Sequence, residues 1–240
     1  YYDKGRALLE RLEHTPHMSS ECVGRLLNAM ASADFTFGRW NECRERLEFA
    51  YEIHFRNDTG LEMLESVALL AFENRLVGNM HKSSILFTRL QQLAVEQAAR
   101  RFITRSTLGF CENLVLCGYY DDAIRDLGDM QRRLQDQASD INIEIRTKAC
   151  LALAHWGLSR KEEAVRFGQE ALSRLTSSVN VTRGFFEALS SICQIMCLSY
   201  RERSRRQKSQ GRRASSTSSA SKYSTPDEDH KDDLPHALQN

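Results

Sequence analysis

The chain has 240 residues, of which 41% are hydrophobic and 27% are charged, and it contains only three prolines. This composition supports one substantial buried core made of long helices joined by short turns, with little β-strand signal. The net charge is only +1, and the excess of basic residues falls in positions 201–240, so broad nucleic-acid binding by residues 1–200 is not expected.

A turn with a small residue recurs at a nearly constant interval of about 40 residues. Its copies lie at Gly38, Gly78, Gly118 and Ser159. Apolar residues on both sides of each turn follow helical spacing. A fixed interval of this length indicates stacked helical hairpins.

In chain order, the pattern predicts a partial repeat, four complete repeats and a final single helix. The partial repeat occupies residues 1–14, and because the chain does not begin with methionine we expect it to be a segment of a longer polypeptide. The complete repeats are predicted at residues 20–58, 61–98, 102–138 and 141–176. The final helix, residues 181–200, either caps the stack or packs against a helix that this sequence lacks.

Short side chains recur in register with the turns. Seven residues before each turn stand Ala31, Ala71, Cys111 and Ala152, and five residues after it stand Cys43, Ser83, Ala123 and Ala164. Two helices that pack closely need short side chains where their axes approach. These positions therefore predict where the two helices of each hairpin cross.

The turn and its neighbours resemble the tetratricopeptide repeat. The resemblance rests on Gly38, Gly78 and Gly118, on the aromatics Trp40 and Tyr120 two residues later, and on Ala123 and Ala164. The sequence departs from the family pattern at Met80, Lys161 and Ser159, lacks the proline that ends a repeat, and has a longer period, as in the MalT-type variant. HEAT and armadillo repeats are the second choice. The resemblance implies an all-α, right-handed α-solenoid of antiparallel hairpins over residues 1–200.

A weaker resemblance is to the repeat region that follows the catalytic domains of soluble adenylyl cyclase and related signalling ATPases. It rests on the run Leu116-Cys117-Gly118-Tyr119-Tyr120-Asp121-Asp122-Ala123 and on the long, irregular period. It implies that catalysis, here cAMP synthesis, belongs to upstream domains and not to this segment.

The candidate binding residues follow from the tetratricopeptide resemblance, in which the first helix of each repeat lines a concave groove. Thirteen residues before each turn the chain has Arg25, Glu65, Arg105 and Arg146, and closer to the turns it has Asn74, Arg75, Glu112 and Asn113. Arginines in a row would bind carboxylates or phosphates with paired hydrogen bonds, and the amides would bind an extended peptide backbone. The alternative is a solvated helix face without a partner.

Residues 201–240 are rich in Ser, Arg and Asp and nearly lack aliphatic side chains, so they are predicted to be a disordered tail, first basic and then acidic. Ser215 follows Arg212-Arg213-Ala214, a pattern typical of basophilic kinase substrates, and Thr225 precedes Pro226. Both are candidate phosphorylation sites. The basic block is also compatible with a nuclear import signal or with salt-dependent nucleic-acid binding by the tail.

No catalytic motif is present: the chain lacks a phosphate loop, a nucleophile elbow and a His-Glu-x-x-His zinc motif. Its seven cysteines predict reduced, buried thiols and a cytoplasmic protein; Cys193 and Cys197 share a helix face but have no third metal ligand nearby. Residues 184–200 are too short a run to span a membrane. We therefore expect no enzyme activity in this segment, no cofactor and no metal.

Together these features predict a non-catalytic interaction or regulatory segment of a larger cytosolic signalling protein. Its partner would be a protein or peptide held in the groove. The alternative is an intramolecular role, in which the repeats restrain the upstream domains of an enzyme similar to soluble adenylyl cyclase.

Overall fold

The computed structural model describes residues 20–57, 60–134, 140–177 and 185–220, together with Lys4 and Ala7. Within these ranges all regular secondary structure is helical. The helices are α1 (Ser20–Thr36), α2 (Trp40–Arg56), α3 (Gly60–Leu76), α4 (Met80–Glu96), α5 (Arg100–Leu116), α6 (Tyr120–Leu134), α7 (Ile141–Gly157), α8 (Lys161–Ser177) and α9 (Phe185–Ala220). The predicted partial repeat lies outside the described residues, except for Lys4 and Ala7.

Helices α1 to α8 pair in chain order into four hairpins, and we call the first helix of each hairpin the A helix and the second the B helix. A helices of adjacent repeats contact each other, whereas adjacent B helices make no comparable contacts within the described ranges. The A helices therefore form one continuous side of the stack, which we call the A-helix face. The predicted all-α fold of stacked hairpins is confirmed.

Each A helix ends at a residue in the left-handed backbone conformation. Gly38, Gly78 and Gly118 have φ angles of 72°, 84° and 87°, and Ser159 takes the same place with φ 61°. At the residue after Ser159, the backbone amide of Arg160 donates to the carbonyl of His155 at 2.9 Å. The other three turns have the equivalent hydrogen bond. This is the Schellman arrangement, which satisfies the free carbonyls at a helix end and favours glycine.

Glycine at position 159, as in the other three turns, should therefore make the protein more stable. Ser159→Gly is expected to raise the free energy of unfolding by about 0.5 kcal/mol, because a left-handed conformation costs a side-chain-bearing residue about 1–2 kcal/mol and glycine loses part of that gain to chain entropy. Gly118→Ala should lower it by about 1 kcal/mol, since a Cβ there meets nothing within 4 Å and only the backbone conformation opposes it. Urea unfolding measures both, and a loss of stability in Ser159→Gly would contradict the assignment.

The positions predicted to be small lie where the helices of each hairpin pack. Every one of them is buried, with no more than 1% of its surface exposed: Ala31, Ala71, Cys111, Ala152, Cys43, Ser83, Ala123 and Ala164. The hydroxyl of Ser83 donates to the carbonyl of Ala71 at 2.7 Å, so α3 and α4 are in contact at the predicted crossing. The core is thus a row of local clusters between neighbouring helices, as a repeat stack requires.

The chain divides into two units, residues 1–196 and 197–240. In the first unit, the beginning of α9 acts as a fifth A helix, because Ala188 and Ile192 pack against Ile145 and Ala149 of α7 and against α8. This packing buries Ala188 and Ile192.

The second unit differs in part from the predicted tail. Helix α9 continues to Ala220, whereas disorder was predicted from residue 201. Residues 201–220 contain no proline, and Arg, Gln, Lys and Ala have high helix propensity, so a helix that has already formed can propagate through them. Residues 221–240 lie outside the described part of the chain.

Candidate functional site

Ion pairs cross the A-helix face from one repeat to the next. Arg25 of α1 lies 2.7 Å from the carboxylate of Glu62 of α3, and Arg105 of α5 lies 2.6 Å from that of Glu65 of α3. The side chain of Arg25 is more than half exposed. Exposed pairs of this kind contribute little to stability individually, but they fix the charge pattern of the face.

A more buried arrangement joins α3, α5 and α7, and we call it the central triad: Arg75, Glu112 and Arg146. Arg75 Nη1 donates to Glu112 Oε2 at 2.6 Å. Arg146 donates from Nη2 to the same oxygen at 2.7 Å and from Nε to Oε1 at 3.0 Å. Only 2% of the Arg75 side chain is exposed, and its guanidinium lies 4.7 Å from the centre of the Phe72 ring. One carboxylate thus connects two arginines from two other helices.

The surroundings of Glu112 set its charge. Burial by itself would raise the pKa of this carboxyl, but the charges of Arg146 and Arg75 and their hydrogen bonds outweigh burial and hold the pKa below its usual value. Glu112 is therefore ionised at neutral pH, and the triad is a charged cluster.

A pocket of about 360 Å³ opens above the central triad. The triad contributes its polar floor. The other lining residues are mainly apolar side chains of the helices around it: Leu76, Met80, Val115, Leu116, Ala149, Cys150, Leu153 and Ala188. Helix α9 adds polar groups from Ser190, Ser191 and Gln194. A pocket with apolar walls and a few fixed polar groups is the usual form of a ligand site in a protein.

The predicted arginine row does lie along the A-helix face, but its members contact protein carboxylates. Arg25, Arg105 and Arg146 each pair with a glutamate of a neighbouring A helix. Glu65, predicted with them, is one of these partners. The row therefore connects the repeats, and of the predicted residues only Arg75, Glu112 and Arg146 line the pocket.

The prediction that two asparagines bind a peptide backbone is corrected by the structure. Asn74 and Asn113 are each only 1% exposed. The amide of Asn74 donates to the carbonyl of Leu70 at 2.9 Å, and the amide of Asn113 donates to the hydroxyl of Ser83 at 2.9 Å. Both amides lie between packed helices, because the helix turns them away from the side that carries the pocket.

Several pocket residues were not identified from the sequence. Leu76 and Leu116 stand two residues before the glycines of their turns, and they are 42% and 58% exposed. The equivalent positions in the other two repeats are Thr36 and Gly157, so the period gave only a partial signal for these leucines. The residues from α9 gave no such signal, because that helix has no recognisable turn to fix its register.

The remaining site predictions have mixed outcomes. None of the seven cysteines forms a disulfide, but Cys22, Cys117, Cys193 and Cys197 are exposed and not buried as predicted. In the described ranges no three His, Cys, Asp or Glu side chains come together as a metal site would require, and none of the helices there is long and apolar enough to cross a membrane. Ser215 lies within α9, and Thr225 lies outside the described residues.

Comparison with known proteins gives limited information. No protein-family model matches the chain, and no curated protein matches it. Among solved structures, the chain is similar to one titled "MamA RS-1 ArsTM double mutant", with 13% sequence identity and a TM-score of 0.45. That similarity covers 73% of this chain and 96% of the other.

Proposed function

We propose that this chain is a non-catalytic interaction segment of a larger cytosolic signalling protein, and that it binds a peptide or a neighbouring domain on its A-helix face. The observation that carries the proposal is the pocket above the central triad. The pocket has contributions from α3, α4, α5, α7 and α9. Only the assembled stack presents it, which is how repeat proteins build a binding surface.

The pocket also limits what kind of partner fits. Leu76 and Leu116 stand at its edge with much of their surface exposed, while Arg75, Glu112 and Arg146 present both signs of charge at its floor. An apolar side chain of the partner would fill the space between the walls, and a neighbouring polar or charged group would meet the triad. The partner is either a separate polypeptide or an upstream part of the same one, as in an enzyme similar to soluble adenylyl cyclase.

Substitution of the exposed pocket leucines tests this function. Peptides selected from a random library against the purified chain are expected to bind Leu76→Ser/Leu116→Ser at least about tenfold more weakly, because two apolar contacts at the edge of the pocket are lost. Fluorescence anisotropy with the selected peptides measures the affinity. Both leucines are at least 42% exposed, so the substitutions should leave the fold intact, which circular dichroism checks.

The matched control places the same changes on a B helix. Ile85 and Val95 of α4 are 54% and 59% exposed and do not line the pocket. Ile85→Ser/Val95→Ser should leave peptide affinity unchanged. Equal losses in the two double variants, or failure to select any peptide, would contradict binding at the pocket.

A further inference from the structure

The second half of α9 has a surface unlike that of the repeats. Residues 201–213 contain seven Arg or Lys residues and one Glu, a net charge of +6. The structure makes this block helical throughout, and the side chains of Arg201, Arg203, Arg205 and Lys208 are exposed. A helix of this length extends over about 20 Å, so its basic residues are spaced at about 3 Å along the axis.

The block lacks the features of a helix that binds apolar surfaces. Between Arg201 and Arg213 there is no aliphatic or aromatic residue. A helix that enters an apolar groove of a protein, or lies in the interface of a membrane, needs an apolar stripe with helical spacing. Its binding energy must therefore come from charge, and the partner must be a polyanion.

The distribution of charge around the helix distinguishes between polyanions. Four of the seven basic residues share one side of the helix: Arg201, Arg205, Lys208 and Arg212. Positions 206 and 213 lie about 120–140° around the axis from Arg201, and Arg203 lies about 200° from it. A flat anionic membrane contacts one side of a helix only. The major groove of B-form DNA is about 12 Å wide, admits an α-helix and presents the phosphates of two strands on opposite sides of it.

We infer that the basic segment of α9, residues 201–213, binds duplex DNA independently of sequence by placing its helix in the major groove. Arginine predominates in the segment, and its planar guanidinium can form two hydrogen bonds with one phosphate. The binding is expected to be independent of sequence because contacts to phosphates carry no information about bases. It is separate from the peptide pocket, which lies in the other unit.

Salt-dependent binding of the complete chain to a labelled DNA duplex of arbitrary sequence tests this inference. The dissociation constant is expected on the order of 1–100 µM at physiological salt, and a plot of log affinity against log salt should have a slope of about −4 to −6. Arg201→Gln/Arg203→Gln/Arg205→Gln should reduce the magnitude of that slope by about 3, since each lost phosphate contact removes about 0.9. Glutamine is a good helix former, so α9 should persist in this variant.

The control variant removes three exposed arginines from the repeats instead. Arg89→Gln/Arg100→Gln/Arg101→Gln makes the same change in net charge and should retain the slope of the unmodified chain. An RNA duplex should bind more weakly, because its major groove is too narrow for side chains to enter.

Three results would overturn the inference. The first is an absence of binding to DNA at low salt, and the second is an equal reduction of the slope in the two triple variants. The third is an affinity for the RNA duplex equal to that for DNA. Binding to vesicles that contain phosphatidylserine without binding to DNA would assign the helix to membranes instead.

Discussion

Replacing Gly109 with alanine is expected to lower the free energy of unfolding by about 1–3 kcal/mol, as extra atoms do in a well-packed core. Gly109 lies in the middle of α5 and is buried against the B helix of the preceding repeat. A Cβ at this position would lie 2.3 Å from two carbon atoms of the Phe87 ring. The ring is itself only 3% exposed and belongs to the core cluster of α3 and α4, so it has little room to move.

Gly128 in α6 provides the matched control. It is also a helical glycine, but a Cβ there would meet nothing within 4 Å. Gly128→Ala should raise stability by about 0.5–1 kcal/mol, because alanine has the higher helix propensity and nothing opposes it. Thermal or urea unfolding of the two variants should thus give changes of opposite sign. A stabilising Gly109→Ala would show that Phe87 can repack.

The regular part of the fold was predictable because the same sequence pattern occurs in four copies. The φ angle of Gly118 and the burial of Ala123 each have equivalents in the other repeats, so the period placed these residues without knowledge of any contact. The close approach of Gly109 and Phe87 was not predictable in this way. The residues at the same position in the other repeats are Ala29, Leu69 and Cys150, so this contact depends on one particular pair of side chains.

The sequence placed the arginine row on the A helices but did not predict the electrostatics of the A-helix face. Spacing placed Arg105 and Arg146 on the A helices, yet their partners lie 40 and 34 residues away, in Glu65 and Glu112. Arg75 reaches the same Glu112 over 37 residues. These separations differ because the glutamate that an arginine reaches depends on the offset between neighbouring A helices and on the length of each side chain. A sequence period fixes neither quantity, so it cannot tell an arginine that is open to a partner from one that links two repeats.

The central triad gives the strongest electrostatic prediction. Glu112→Gln should lower the free energy of unfolding at neutral pH by about 3 kcal/mol, the lower end of the range for breaking a buried ion pair. The variant leaves Arg75 and Arg146 side by side without the carboxylate between them, and their side chains are only 2% and 12% exposed. Glutamine retains the shape and one acceptor oxygen, so the loss reports on charge more than on packing.

Glu65→Gln is the control, because it removes a carboxylate from the same face. The side chains of Glu65 and Arg105 are 35% and 22% exposed, and solvent screens such pairs, so the expected loss is below about 1 kcal/mol. Urea unfolding at neutral pH measures both variants. Losses of equal size would show that the central triad is no more important than the exposed pairs.

The effect of Glu112→Gln should also depend on pH. The pKa of Glu112 in the folded protein is held below its usual value, so its contribution is complete above the pKa of the unfolded chain, about 4.3. It is lost as the pH falls through the lower folded pKa, where the carboxyl becomes protonated. The unmodified chain and Glu112→Gln should therefore begin to converge in stability below about pH 4.3 and should become equal only below the folded pKa of Glu112. A difference that stays constant from neutral to acidic pH would assign the effect of the substitution to packing and not to the charge of Glu112.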